Sequence, residues 1–60
     1  MKWILVKDKL PETGLKVKVR TIFGFDDYGI WNGKEWVNDS GKWLGEKEEV
    51  LQWTLIINNQ

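Results

Sequence analysis

From Lys16 to Phe23 the chain alternates without a break. Val17, Val19, Thr21 and Phe23 fall on one side, and Lys16, Lys18, Arg20 and Ile22 on the other. A period of two carried by β-branched residues predicts a half-buried strand; a helix would repeat its apolar positions every three or four residues. A second alternating run closes the chain, with Leu51, Trp53, Leu55 and Ile57 against Val50, Gln52, Thr54 and Ile56. Trp3 to Lys7 reads as a shorter strand, Trp3 and Leu5 on one face, Ile4 and Val6 on the other.

Turn signals separate these runs. Leu10-Pro11-Glu12-Thr13-Gly14 is a turn, because Pro11 fixes φ and Gly14 accepts a positive one. Gly24-Phe25-Asp26-Asp27 reverses the chain again. Asn32-Gly33, between Tyr28–Trp31 and Lys34–Val37, is the dipeptide best suited to a type I′ hairpin. Asn38-Asp39-Ser40-Gly41 is a further turn cluster before Lys42-Trp43-Leu44, and Gly45 to Glu49 reads as a solvated acidic loop or one helical turn. Asn58-Asn59-Gln60 is a polar end that frays. The expected fold is one small all-β domain over residues 1–60, a curled antiparallel sheet or barrel-like meander of four to five short strands.

Sixty residues make a thin core, since a chain this short buries only about 60% of the surface its unfolded form exposes. With no cysteine and no histidine, the chain excludes Ser-His-Asp and Cys-His nucleophile systems, zinc fingers, CxxC redox sites and haem. No enzyme activity, catalytic residue, metal or cofactor is expected. Asp26-Asp27 and Glu46, Glu48 and Glu49 read as solvated turns, and Asp26-Asp27-Tyr28-Gly29 lacks the alternating oxygens and bidentate glutamate of a calcium loop. No apolar run is long enough to span a bilayer, and the apolar start is too short for a signal peptide. The expectation is therefore a cytoplasmic protein with no membrane partner. Asn38-Asp39-Ser40 matches the glycosylation pattern only by chance in that setting.

Net charge is zero but uneven. Residues 1–20 carry six cations and two acids, a net of +4; residues 21–60 carry three cations and seven acids, a net of −4. Lys16, Lys18 and Arg20 share one strand face in steps of about 7 Å, a spacing able to grip phosphates. The plainer reading is a solvated face whose lysines discourage aggregation, or one neutralised by the acidic half. Eight aromatic rings, five of them tryptophans, are too many for so small a core to enclose. Trp3 and Trp53 are expected inside. Trp31 and Trp36, flanking the hairpin, are expected outside as stacking partners for the cations, which makes Lys16, Lys18, Arg20, Trp31 and Trp36 the candidate binding residues. Ile22-Phe23-Gly24-Phe25 matches part of an RNP1-type strand, but Thr21-Ile22 replaces its basic-glycine pair and there is no net positive charge, so nucleic acid is disfavoured as a partner.

The series Trp3-x-x-Val6-x-Asp8-x-Leu10-Pro11-x-x-Gly14-x-x-Val17-x-Val19 resembles the opening of domain-of-unknown-function family 551, which is common in phage and prophage genomes. Asn32-Gly33-Lys34-Glu35-Trp36 and Val50-Leu51-Gln52-Trp53 are similar to later parts of that family, so the resemblance runs from Trp3 to about Leu55. Gln52 stands where the family has a histidine, and Thr54-Leu55-Ile56-Ile57 replaces its proline-broken end. In structural terms Trp3 and Leu10 would pack as core, and Asp8 would hold the Leu-Pro turn. The resemblance implies a phage-type accessory protein, of a kind that counters host defence. The expected function is non-catalytic: sequestration of a nucleotide-like anion in a homo-oligomer, in the host cytoplasm. The alternatives are an inhibitor that blocks a host protein through exposed Trp anchors, and single-stranded nucleic-acid binding or a structural phage role.

Overall fold

The computed structural model describes residues 2–56. The expected far end of the last strand at Ile57 and the polar end Asn58–Gln60 lie outside the described residues. Among the described residues six strands form one antiparallel sheet: β1 (Ile4–Leu5), β2 (Lys16–Thr21), β3 (Asp26–Trp31), β4 (Trp36–Val37), β5 (Trp43–Gly45) and β6 (Val50–Leu55). Their order is β1-β6-β2-β3-β4-β5, so the sheet is open and its two edges are strands of two and three residues. The all-β expectation holds, and the strand count rises to six because these short pieces also pair. A single 3₁₀ turn, Lys47–Glu49, joins β5 to β6. No helix among the described residues is long and apolar enough to cross a membrane.

β2 lies at the centre, paired with β3 and β6, and its alternation sets the two faces. Val17 and Val19 are fully buried, and the core gathers over them from Val6, Trp31, Trp36, Val50 and Trp53. Trp53 stands opposite both Val19 and Ile4, and its indole N–H donates to Lys9 O at 2.8 Å. That bond ties the segment after β1 across the core and satisfies the one polar atom of a buried indole. Backbone bonds from Asp8 N–H and Lys9 N–H to Leu5 O hold the turn before Pro11, in place of the role expected of the Asp8 side chain.

The sheet corrects several details. β2 ends at Thr21, two residues before the alternation stops, so Phe23 leaves the core face. In β6 the register slips: Gln52 pairs with Arg20 but Val50 with Thr21, leaving Leu51 as the extra residue of a bulge. The bulge puts Val50 into the core with Trp53 and turns Leu51 outward, where strict alternation expects the opposite. The Asn32-Gly33 hairpin is not a type I′ turn. That turn needs positive φ at both residues, and among the described residues only glycines have it. Asn32 instead accepts the N–H groups of Lys34 and Glu35 on its Oδ1, each at 2.8 Å, closing a four-residue loop between Trp31 and Trp36.

Candidate functional site

The first consequence of this register falls on the tryptophans. Val17 faces Gly29 across the β2–β3 pair, so Trp31 shares the inner face with the core valines. Trp31 and Trp36 face each other across the next pair, with ring centroids 5.3 Å apart. Gly29 lies under the same core: a Cβ there would come within 3.0 Å of Leu44 and 3.3 Å of Val19. Trp36 is 0% exposed and Trp31 7%, and the Trp36 indole N–H donates to Lys47 O at 3.2 Å. The expectation that these two rings stand outside the core is therefore wrong, and neither can stack on a ligand. Trp3 is corrected the other way. It is half-buried on the outer face, with the Arg20 guanidinium 4.4 Å above its ring. Trp53 is inside, as expected, and Trp43 is the exposed tryptophan.

The outer face does carry Lys16, Lys18 and Arg20 in a row, but two of the three are paired. Arg20 donates to both carboxylate oxygens of Asp26, at 2.9 and 3.2 Å. Lys16 meets Asp39 at 2.8 Å and lies 5.4 Å from the Tyr28 ring centroid. The hydrogen bond, with its charge, holds each carboxyl below the usual aspartate range and raises Lys16 and Arg20. Lys18, opposite Tyr28 and Thr54, makes no ion pair among the described residues. Counting Lys16, Lys18 and Arg20 against Asp26 and Asp39, the face has a formal charge of +1. Two acids of residues 21–60 thus pair with two of the three cations on this face.

Exposed apolar surface gathers elsewhere, at the tip between β2 and β3. Thr21 N–H donates to Phe25 O at 2.9 Å and Gly24 N–H to Thr21 O at 3.2 Å, with Gly24 at φ +94°. This is a three-residue hairpin loop ending in a left-handed glycine. The buried Thr21 side chain fixes it from below: its hydroxyl donates to Phe25 O at 3.0 Å and accepts Phe23 N–H at 3.2 Å. Ile22 N–H donates to Glu49 O, which ties the tip to the start of β6. Held in this way, Ile22, Phe23 and Phe25 are 54%, 60% and 49% exposed, and the two phenyl rings stack with centroids 6.3 Å apart. Sequence reasoning assigned these residues to a strand and a turn, weighed them only as a partial RNP1-type match, and left them out of the candidate binding residues. The signal was Gly24, three residues after a threonine able to cap the turn.

No family model matches this chain, nor does any curated protein or solved structure.

Proposed function

We propose that this protein is a non-catalytic binding module that docks on another protein, with the Ile22-Phe23-Gly24-Phe25 tip as its anchor. The observation that carries this reading is an apolar tip on a turn whose geometry does not call for apolar residues. The hairpin between β4 and β5 makes the same turn with Asp39, Ser40 and Gly41. Burying one such side chain at an interface is worth about 1.5–3 kcal/mol, and aromatic residues are enriched where interfaces are fully buried. Hydrogen bonds already close the tip's backbone, which lowers the ordering cost of association. The phage-type setting, with a host protein as the blocked partner, is supported by the sequence resemblance alone. The anchors in this reading are phenylalanines and an isoleucine, in place of Trp31 and Trp36.

The test is affinity capture from bacterial cells with the wild-type chain and with an Ile22→Asp/Phe23→Ser variant, followed by native mass spectrometry. A protein retained by the first and lost at least tenfold by the second is the expected result. Equal retention by both would end this reading.

Lys18 favours a second reading, capture of a nucleotide-like anion between copies of the chain. Among the described residues it makes no ion pair and it lies opposite Tyr28, and the surface ion pairs on either side cost little to open for a phosphate. A closed oligomer carrying extra mass of a few hundred daltons, lost in Lys18→Ser/Arg20→Ser, would favour this reading over docking.

A further inference from the structure

A separate feature lies where β1 leaves the sheet. β1 has only two residues, and after Leu5 the chain turns away, with Val6 N–H still donating to Leu51 O at 3.0 Å. Beyond that bond no further strand among the described residues continues the edge of the sheet. A half-open groove of about 460 Å³ remains between the turn and the 3₁₀ segment, lined by Leu5, Val6, Lys7, Lys47, Glu48, Val50 and Leu51. Its size is that of a small-molecule site, for which about 300–1,000 Å³ is usual. Val6 and Val50 are buried core residues, and the bulge turns Leu51 into the groove wall. Lys7 and Lys47 are exposed and make no ion pair among the described residues, so the groove has two free ammonium groups against one carboxylate.

We infer that this groove binds an amphiphilic anion, a compact apolar body carrying one carboxylate, sulfonate or phosphate group. The body lies along Leu5 and Leu51, over the buried Val6 and Val50, and the anionic head is held between Lys7 and Lys47. A neutral apolar ligand would leave both ammonium groups unused, and a cation would be repelled by them. A zwitterion gains only what Glu48 adds. The occupant is thus set by the sign of the rim and the size of the floor. This inference is independent of the tip reading, because none of Ile22, Phe23 and Phe25 lines the groove.

The probe is 1-anilinonaphthalene-8-sulfonate, with neutral N-phenyl-1-naphthylamine as the same body without its charge. Both are titrated into the isotope-labelled full chain and followed by backbone amide shifts. The expected result is a set of shifts centred on Leu5, Val6, Lys7, Val50 and Leu51, with the neutral compound binding at least fivefold more weakly. Lys7→Gln and Lys47→Gln, both surface changes that leave the fold intact, should each weaken the anion about two- to fivefold. Shifts centred on Ile22–Phe25, equal binding of the neutral compound, unchanged binding by both glutamine variants, or no binding would each overturn the inference.

Discussion

The two three-residue hairpin tips of this molecule make a controlled comparison. Each is closed by the first residue of the turn: Thr21 bonds to Phe25 O and Asn38 to Lys42 O, at 2.9 and 2.8 Å. Each ends in a left-handed glycine, Gly24 at φ +94° or Gly41 at φ +83°. In each, the side chain of the first residue accepts the N–H two positions on, Phe23 on Thr21 Oγ1 and Ser40 on Asn38 Oδ1. They differ in what they present. The Asp39 tip is polar and strapped back onto the sheet by Lys16, whereas the Phe23 tip is apolar and its rings project into solvent. Since the same backbone works with either chemistry, turn formation does not explain the apolar one, and an exposed cluster of Ile22, Phe23 and Phe25 calls for a partner.

The largest effect that sharpens the contrast separates aromatics of the core from those of the tip. Trp36→Ala should cost about 3–5 kcal/mol, which is most of the stability of a domain this size. Placing the polar tip on the apolar one, Ile22→Asp with Phe23→Ser, should change stability by less than about 0.5 kcal/mol. Urea denaturation of both variants checks this, and a large loss from the tip exchange would mean that Phe23 is structural after all. Next in size come the two glycines. Gly24→Ala and Gly41→Ala should each cost about 1–2 kcal/mol, because alanine is strained in the left-handed region and no neighbour crowds either site. Clearly unequal losses would break the equivalence of the two turns.

Smaller still are the ion pairs at the base of the Phe23 tip and across the Asp39 tip. Asp26 and Asp39 should titrate below ordinary aspartate, because the charged form is held by Arg20 and Lys16. A depressed pKa in the folded state gives a contribution that is complete above the unfolded value and lost as pH falls through the folded one. Both pairs are exposed, so the effect is small and fades with salt. Carboxyl-carbon NMR titration should show both midpoints low, with Asp26 returning to the usual range in Arg20→Gln and Asp39 in Lys16→Gln. A midpoint that stays low in either variant would mean that another group holds that carboxylate.

Much of the fold was legible, because the alternation of Lys16–Thr21 puts Val17 and Val19 inside whatever their neighbours do. What could not be read depended on register. Trp31 and Trp36 sit inside because Val17 pairs with Gly29, and no property of either tryptophan reveals that pairing. The Leu51 bulge reverses Val50 and Leu51 relative to a strict count, and it is defined only by the pairing of β6 with β2. Lys16 and Asp39 are 23 positions apart, so although pairing with the acidic half was a sequence reading, the particular partner depends on how β4 and β5 fold back. The apolar tip was nearer to hand. Ending β2 at Thr21 required only that Gly24 be taken as the left-handed close of a three-residue loop, which places Ile22 and Phe23 at its exposed end.

The most direct test of the tip as an anchor is photo-crosslinking in bacterial cells from two positions, with p-benzoylphenylalanine at Phe23 in one variant and at Ser40 in the other. The two sites occupy the same place in equivalent turns, so they differ in little besides the surface around them. A discrete adduct with another protein from position 23, and none from position 40, is the expected result. Adducts in equal yield from both positions, or none from position 23, would contradict the account.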